Sequence, residues 1–102
     1  MISKFNHLTI WGNIGKDPEV RATQTGKEIT SFSIGVWQGK DKPTMWLDCK
    51  SFDPVTFGKG AKVVVEGKLM METWTSKEGA TIKKYVVIVS GISQQPPREE
   101  EF

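Results

Sequence analysis

The sequence predicts an all-β fold, with five main strands closing into a small barrel. Two observations carry this. Apolar side chains recur at every second position in successive short runs, the period of a strand with one buried face. Glycine-rich turns separate the runs, and short strands punctuated in this way suit a small closed barrel. The 102 residues allow one domain with a modest core. Residues 1–92 are expected to form it, leaving 93–102 as a short flexible tail with an acidic tip.

Phe5 to Ile14 opens the fold, with Leu8, Ile10 and Ile14 on one side and Trp11 on the other. Trp11 fits either a nucleic-acid contact or a packed position. Gly12 and Gly15 mark a bend or a close backbone approach, and Lys16-Asp17-Pro18-Glu19 is turn chemistry. Val20 to Thr23 is a short additional strand candidate, ended by the Gln24-Thr25-Gly26-Lys27 turn. Ile29 to Trp37 follows, with Phe32, Ile34 and Val36 inward and Trp37 outside that set.

Thr44 to Phe52 is the most telling strand. Met45, Leu47 and Cys49 make an apolar face, while Trp46, Asp48, Lys50 and Phe52 share the other. Two large aromatics flanking a lysine suit a flat, anionic ligand, and single-stranded nucleic acid has a π-face on every base and a charge on every linkage. A strand buried on both sides, or a subunit interface, would also account for them. Asp48 would repel phosphate there and is expected to pair with a neighbouring cation or to be twisted away.

Asp53-Pro54-Val55-Thr56-Phe57 has helix-start chemistry and predicts a single shortened helical turn between strands three and four. Lys62 to Trp74 is a long strand, with Val63, Val65, Leu69 and Met71 on one side and Glu66, Lys68, Glu72 and Trp74 on the other. Thr75 to Gly79 turns into the last strand, Ile82 to Val89, which is rich in β-branched residues. Tyr85 fits cross-strand packing there. From Ser93 no periodicity remains.

Net charge is only +2, but its distribution is uneven. With Glu99, Glu100 and Glu101 set aside, 14 basic side chains face 9 acidic ones, a basic body with an acidic tip. Arg21, Lys50, Lys59, Lys62 and Lys68 are the candidate phosphate partners. Cys49 is a lone cysteine and marks no oxidising compartment; with neither a signal pattern nor a membrane-length apolar run, the expected location is cytoplasmic. His7 and Cys49 have no metal-ligand spacing, and Gly12-Asn13-Ile14-Gly15-Lys16 lacks the full phosphate-loop pattern. No catalytic residue, metal or cofactor is expected.

Asn6 and the run Leu8-Thr9-Ile10-Trp11-Gly12-Asn13-Ile14-Gly15-Lys16-Asp17-Pro18-Glu19-Val20-Arg21 resemble the opening signature of bacterial-type single-stranded DNA-binding proteins. Gly26, Phe32-Ser33-Ile34, Thr44, Trp46, Phe52, Gly60, Val65-Glu66-Gly67-Lys68-Leu69, Trp74, Gly79 and Val86-Val87-Ile88 continue the resemblance, which spans about residues 5–92. It implies an OB barrel that assembles as a homotetramer and wraps single-stranded DNA without sequence preference in replication, recombination and repair. It assigns base stacking to Trp46, Phe52 and Trp74, with Trp37 near the family's remaining aromatic. It also implies that Glu99, Glu100, Glu101 and Phe102 match the family's acidic tip, which recruits replication and repair proteins.

Two departures stand out. The segment after Phe52 is shorter than the family's helix, removing a plug from one barrel end and bearing on subunit packing. The spacer Gln94 to Arg98 before the tip is also short, which would suit a phage or mobile-element version. Alternatives are a primosome-type OB adaptor working through protein contacts, an RNA-binding OB domain, and a hydrolase on the same scaffold.

Overall fold

Alternating apolar residues need a partner for each strand edge as well as a cover for one face, and closing the sheet supplies both. The computed structural model describes residues 5–94. Within them lie β1 (Leu8–Ile14), β2 (Glu19–Ala22), β3 (Glu28–Val36), β4 (Met45–Ser51), β5 (Lys62–Thr75) and β6 (Thr81–Gln94). The sheet runs β1-β5-β6-β4-β3-β2, and a further β1–β3 pairing closes the ring. β4 and β6 run parallel through Cys49↔Val87; the other pairs are antiparallel.

The sixth strand is consistent with five main ones. β1 meets β3 at Asn13↔Gly35 and Ile14↔Ile34, and β2 meets the same strand at Glu19↔Ser31 through Ala22↔Glu28. β1 and β2 are therefore two parts of one bent edge along β3, interrupted by Gly15 to Pro18. This is the five-stranded OB barrel the sequence leads one to expect.

The barrel interior collects one face of every main strand. Ile14, Phe32, Ile34, Cys49, Val63, Val65, Val87 and Val89 form its buried cluster. Most are β-branched, so they lose little side-chain freedom on packing against a pleated surface.

The predicted helical turn is not formed. Residues 53–57 contain no helix, and Val55 and Phe57 pack against the core cluster. Ser51 Oγ accepts a hydrogen bond from Asp53 N at 3.2 Å and donates one to Asp53 O at 2.8 Å, tying the segment to the end of β4. A helical nucleus fixes several residues for its first hydrogen bond, and β-branched Val55 and Thr56, followed by Gly58, give it no length over which to recover that cost. Two side chains from an irregular segment thus pack on the core where the shortened helix was expected to remove a plug from one barrel end.

β6 continues through Ser93 and Gln94, where the sequence predicts the tail to begin; Gln94 lies opposite Val63. The acidic tip, Glu99 to Phe102, lies outside the described residues. No helix among those described is long and apolar enough to cross a membrane.

Beyond the barrel, β5 and β6 continue as a two-stranded arm ending at the turn before Thr81. The molecule measures 52 × 32 × 30 Å. Asn6 clamps the arm at its root: Nδ2 donates to Leu69 O and Oδ1 accepts from Leu69 N, both at 2.9 Å.

Candidate nucleic-acid interface

The outer surface of β3, β4, β6 and β5 carries the features that an ordinary solvent face lacks. Register fixes its rows. Ser31 lies beside Lys50, Lys50 beside Ile88, and Ile88 beside Lys68; Asp48 lies beside Val86, and Val86 beside Met70. Cα partners share a face, so Trp46, Asp48, Lys50, Lys68, Met70, Glu72 and Trp74 belong to one continuous sheet surface.

Trp46 is the best-defined aromatic on it. A Cβ built on Gly35 would stand 3.0 Å from ring atoms Cζ3 and Cη2, and one on Gly15 would stand 2.6 Å from Cζ3. The indole therefore lies across two glycines whose missing side chains make room for it. Although supported from below, it stays 61% exposed. A large aromatic held rigidly with one face open is suited to stacking a planar ligand.

Phe52, just past the end of β4, is 57% exposed and borders a shallow depression with Ala22, Gly26, Lys27 and Glu28. Trp74 stands on the arm opposite Ile82, and both are exposed. Trp37 follows β3 at the mouth of the Gln38–Pro43 loop and is 71% exposed. That loop is drawn together by Gln38 Nε2 donating to Pro43 O at 2.9 Å. Trp11 is half-buried on the β1–β5 flank, and its Nε1 is buried without a partner among the described residues. Tyr85 lies opposite Met71 on the other side of the arm and is exposed.

The cations differ in how free they are. Lys50 Nζ is 2.7 Å from Glu72 Oε2, and Lys84 Nζ is 2.9 Å from Asp48 Oδ2. Asp48 thus has its cation, supplied by β6. Arg21 pairs with Glu19 at 3.2 Å on an exposed stretch of β2, where such a pair contributes little. Lys68 is exposed beside Ile88. Lys62 stands round the barrel from Trp46, on the row Trp46–Gly35–Asn13–Lys62. Lys59 sits at the barrel end, its backbone N donating to Asp17 Oδ1 at 2.8 Å.

The structure brings Trp46, Lys50, Lys68 and Trp74 onto one surface, with Phe52 and Arg21 toward one end of it. It sets Lys59 and Lys62 on neighbouring flanks. Sequence reasoning missed Lys84, Met70 and Ile82, which reach this surface through β5–β6 pairing. Alternation within the last strand places Ile82, Lys84, Val86 and Ile88 on one face, and that signal was available. It also missed the roles of Gly15 and Gly35, which only the position of Trp46 reveals.

Cys49, behind this surface, faces the core. Burial, with a smaller contribution from the Asp48 charge, pushes its thiol from an ordinary 9.0 up to about 12. His7 is exposed and makes only a 3.4 Å contact to Thr9 Oγ1. Among the described residues no cluster of His, Cys, Asp or Glu is placed to hold a metal ion.

Comparison with known proteins bears on the fold and on descent. Residues 5–95 match the single-strand binding protein family. A single-stranded DNA-binding protein of Chlamydia pneumoniae is 30% identical over 100 residues, covering 90% of this chain and 61% of that protein. One from Deinococcus radiodurans is 32% identical over 92 residues, 78% of this chain and 30% of that protein. The chain therefore spans less than two thirds of the length of these two relatives. Among solved structures, the Plasmodium falciparum SSB complex with ssDNA superposes with a TM-score of 0.76 at 17% identity, covering 94% of this chain and 99% of that one. The mitochondrial single-stranded DNA binding protein of S. cerevisiae gives 0.71 at 19% identity, covering 90% and 96%. At those identities the solved structures speak to the fold, and the family match speaks to descent: this chain belongs to the single-strand binding protein family.

Proposed function

We propose that this protein binds single-stranded DNA without sequence preference and protects it while unpaired in replication, recombination and repair. The observation that carries this is the Trp46 indole laid across Gly15 and Gly35 with its outer face open, on the surface shared with Trp74 and adjoining Phe52. Bases stack on Trp46, Phe52 and Trp74, with Trp37 extending the track. Stacking tolerates any base because each has a π-face. Lys50, Lys68 and Arg21 meet the phosphates nearest that track, with Lys59 and Lys62 on its flanks. The chain works as a homo-oligomer, and its acidic tip engages replication and repair proteins.

Catalysis has no counterpart in this reading. A buried thiol raised to about 12 stays protonated near neutral pH and is a poor nucleophile.

Titration with oligo-dT while following tryptophan fluorescence tests the proposal. Stacking quenches the signal, and log affinity falls with log salt by about 0.7 for each phosphate neutralised. Trp74→Ala weakens binding by about 1–3 kcal/mol while leaving the barrel folded. Weak, unquenched binding by the wild type would overturn the proposal and assign the aromatics to protein contacts.

A further inference from the structure

At the centre of the aromatic surface the charges cancel. Lys50 is held by Glu72 at 2.7 Å and Lys84 by Asp48 at 2.9 Å. These pairs link β4 to β5 and to β6 at the level of Val86, which is fully buried although it occupies an outward position. Beside them, between the Gly15–Glu19 bend and the strands, lies a cleft of about 200 Å³. Lys16, Ser31, Ser33, Asp48, Lys50 and Lys84 are among its lining residues.

The acidic side chains around this cleft are not equivalent. Asp17 is turned to the Lys59 backbone N, and Glu19 to Arg21. Asp48 instead holds Lys84, and Glu72, outside the lining itself, holds Lys50; these are two of the lysines that would meet an anion in the cleft. Three lysines and two serine hydroxyls surround a space adjoining the row of Trp46, so a phosphate linking a base stacked on Trp46 to its neighbour has matching donors there.

We propose that this cleft receives one backbone phosphate of single-stranded DNA, and that Asp48 and Glu72 are anionic placeholders the phosphate displaces from Lys84 and Lys50. The inference rests on the reading of the surface as a single-stranded DNA site. Binding at the cleft is then an exchange of carboxylate for phosphate. The freed carboxylates take up cations from solution, which opposes the counterion release that normally makes such contacts salt-dependent. The placeholders lower affinity at low salt and flatten its salt dependence. Both pairs are part-exposed, so neither is too costly to open.

The test compares oligo-dT titrations over a range of salt for wild type, Asp48→Asn, Glu72→Gln, the double variant, and Glu66→Gln. Glu66 stands on the β1 flank opposite Thr9 and reports the effect of removing a remote negative charge. The double variant is expected to bind roughly tenfold tighter at low salt, with a slope steeper by about 0.7–1.4, and Glu66→Gln to keep the wild-type slope. Replacing Lys50 and Lys84 by Met in the double variant should abolish the gain. Slopes that coincide for wild type and double variant, or a gain matched by Glu66→Gln, would overturn the proposal. Thermal melts identify any variant that fails to fold, and the single substitutions then carry the comparison. Wild-type protein that fails to quench would sink the single-stranded DNA reading itself; wild-type quenching with unchanged variant slopes sinks only the exchange.

Discussion

The two halves of β5 follow one alternation and meet opposite fates. From Lys62 to Gly67 the strand has β1 on one side and β6 on the other, and Val63 and Val65 are fully buried. From Lys68 to Thr75 only β6 remains beside it, because pairing with β1 stops at Leu8↔Gly67. Leu69 and Met71 occupy the same face as Val63 and Val65, yet they are 41% and 49% exposed. Alternation says which way a side chain points; it does not say whether anything lies there to cover it. The junction is marked twice, by the Asn6 clamp on Leu69 and by a register shift between Glu66 and Gly67.

The sharpest way to break this contrast is at the junction itself. A Cβ on Gly67 would come within 2.1 Å of the Ile88 carbonyl oxygen, which is backbone and has little freedom to withdraw. Gly67→Ala is expected to destabilise the fold by about 3 kcal/mol, measured by urea unfolding. An alanine tolerated at wild-type stability would show that the two strands are not held this closely.

A matched pair of truncations compares the halves directly. Val65→Ala should cost about 2 kcal/mol by creating a cavity in the barrel. Met71→Ala, on the same face of the same strand, should stay within about 0.5 kcal/mol. Equal losses would mean that the arm is covered in solution, as an oligomer contact would do.

A pH-dependent effect, smaller than the contrast between those truncations, comes from Cys49, which sits opposite Val87 in the barrel half. Its folded-state pKa of about 12 lies above the ordinary 9.0, so its contribution is complete below pH 9 and declines as pH rises toward 12. By pH 10 the stability difference between wild type and Cys49→Ala should shift by about 1 kcal/mol against the wild type. A difference independent of pH would show that the thiolate is solvated in the folded chain.

Much of the candidate site was legible because strand periodicity is a local property. Trp46, Lys50 and Phe52 fall outside the apolar set of Met45, Leu47 and Cys49 by counting alone, and their exposed or half-buried positions follow. The glycine pedestal was not legible. Gly15 reads as a bend or close backbone approach and Gly35 as a strand position, and neither names Trp46 until it is seen lying across both, one on each side of the β1–β3 contact. The helical turn expected from Asp53-Pro54 failed for the opposite reason. Its local start signal was sound, but tethering at Ser51 and the packing of Val55 and Phe57 against the barrel decided the conformation.

By itself the sequence determined the strands, their inward faces and the aromatic surface, because a period of two and a turn vocabulary act over neighbouring residues. Tertiary structure alone decided which residues meet across strands. Closure by β1 and β3, the Lys84–Asp48 and Lys50–Glu72 pairs, and the exposure of Leu69 and Met71 all depend on register and on where a neighbouring strand ends. Those are properties of pairings between distant segments, and no local pattern encodes them.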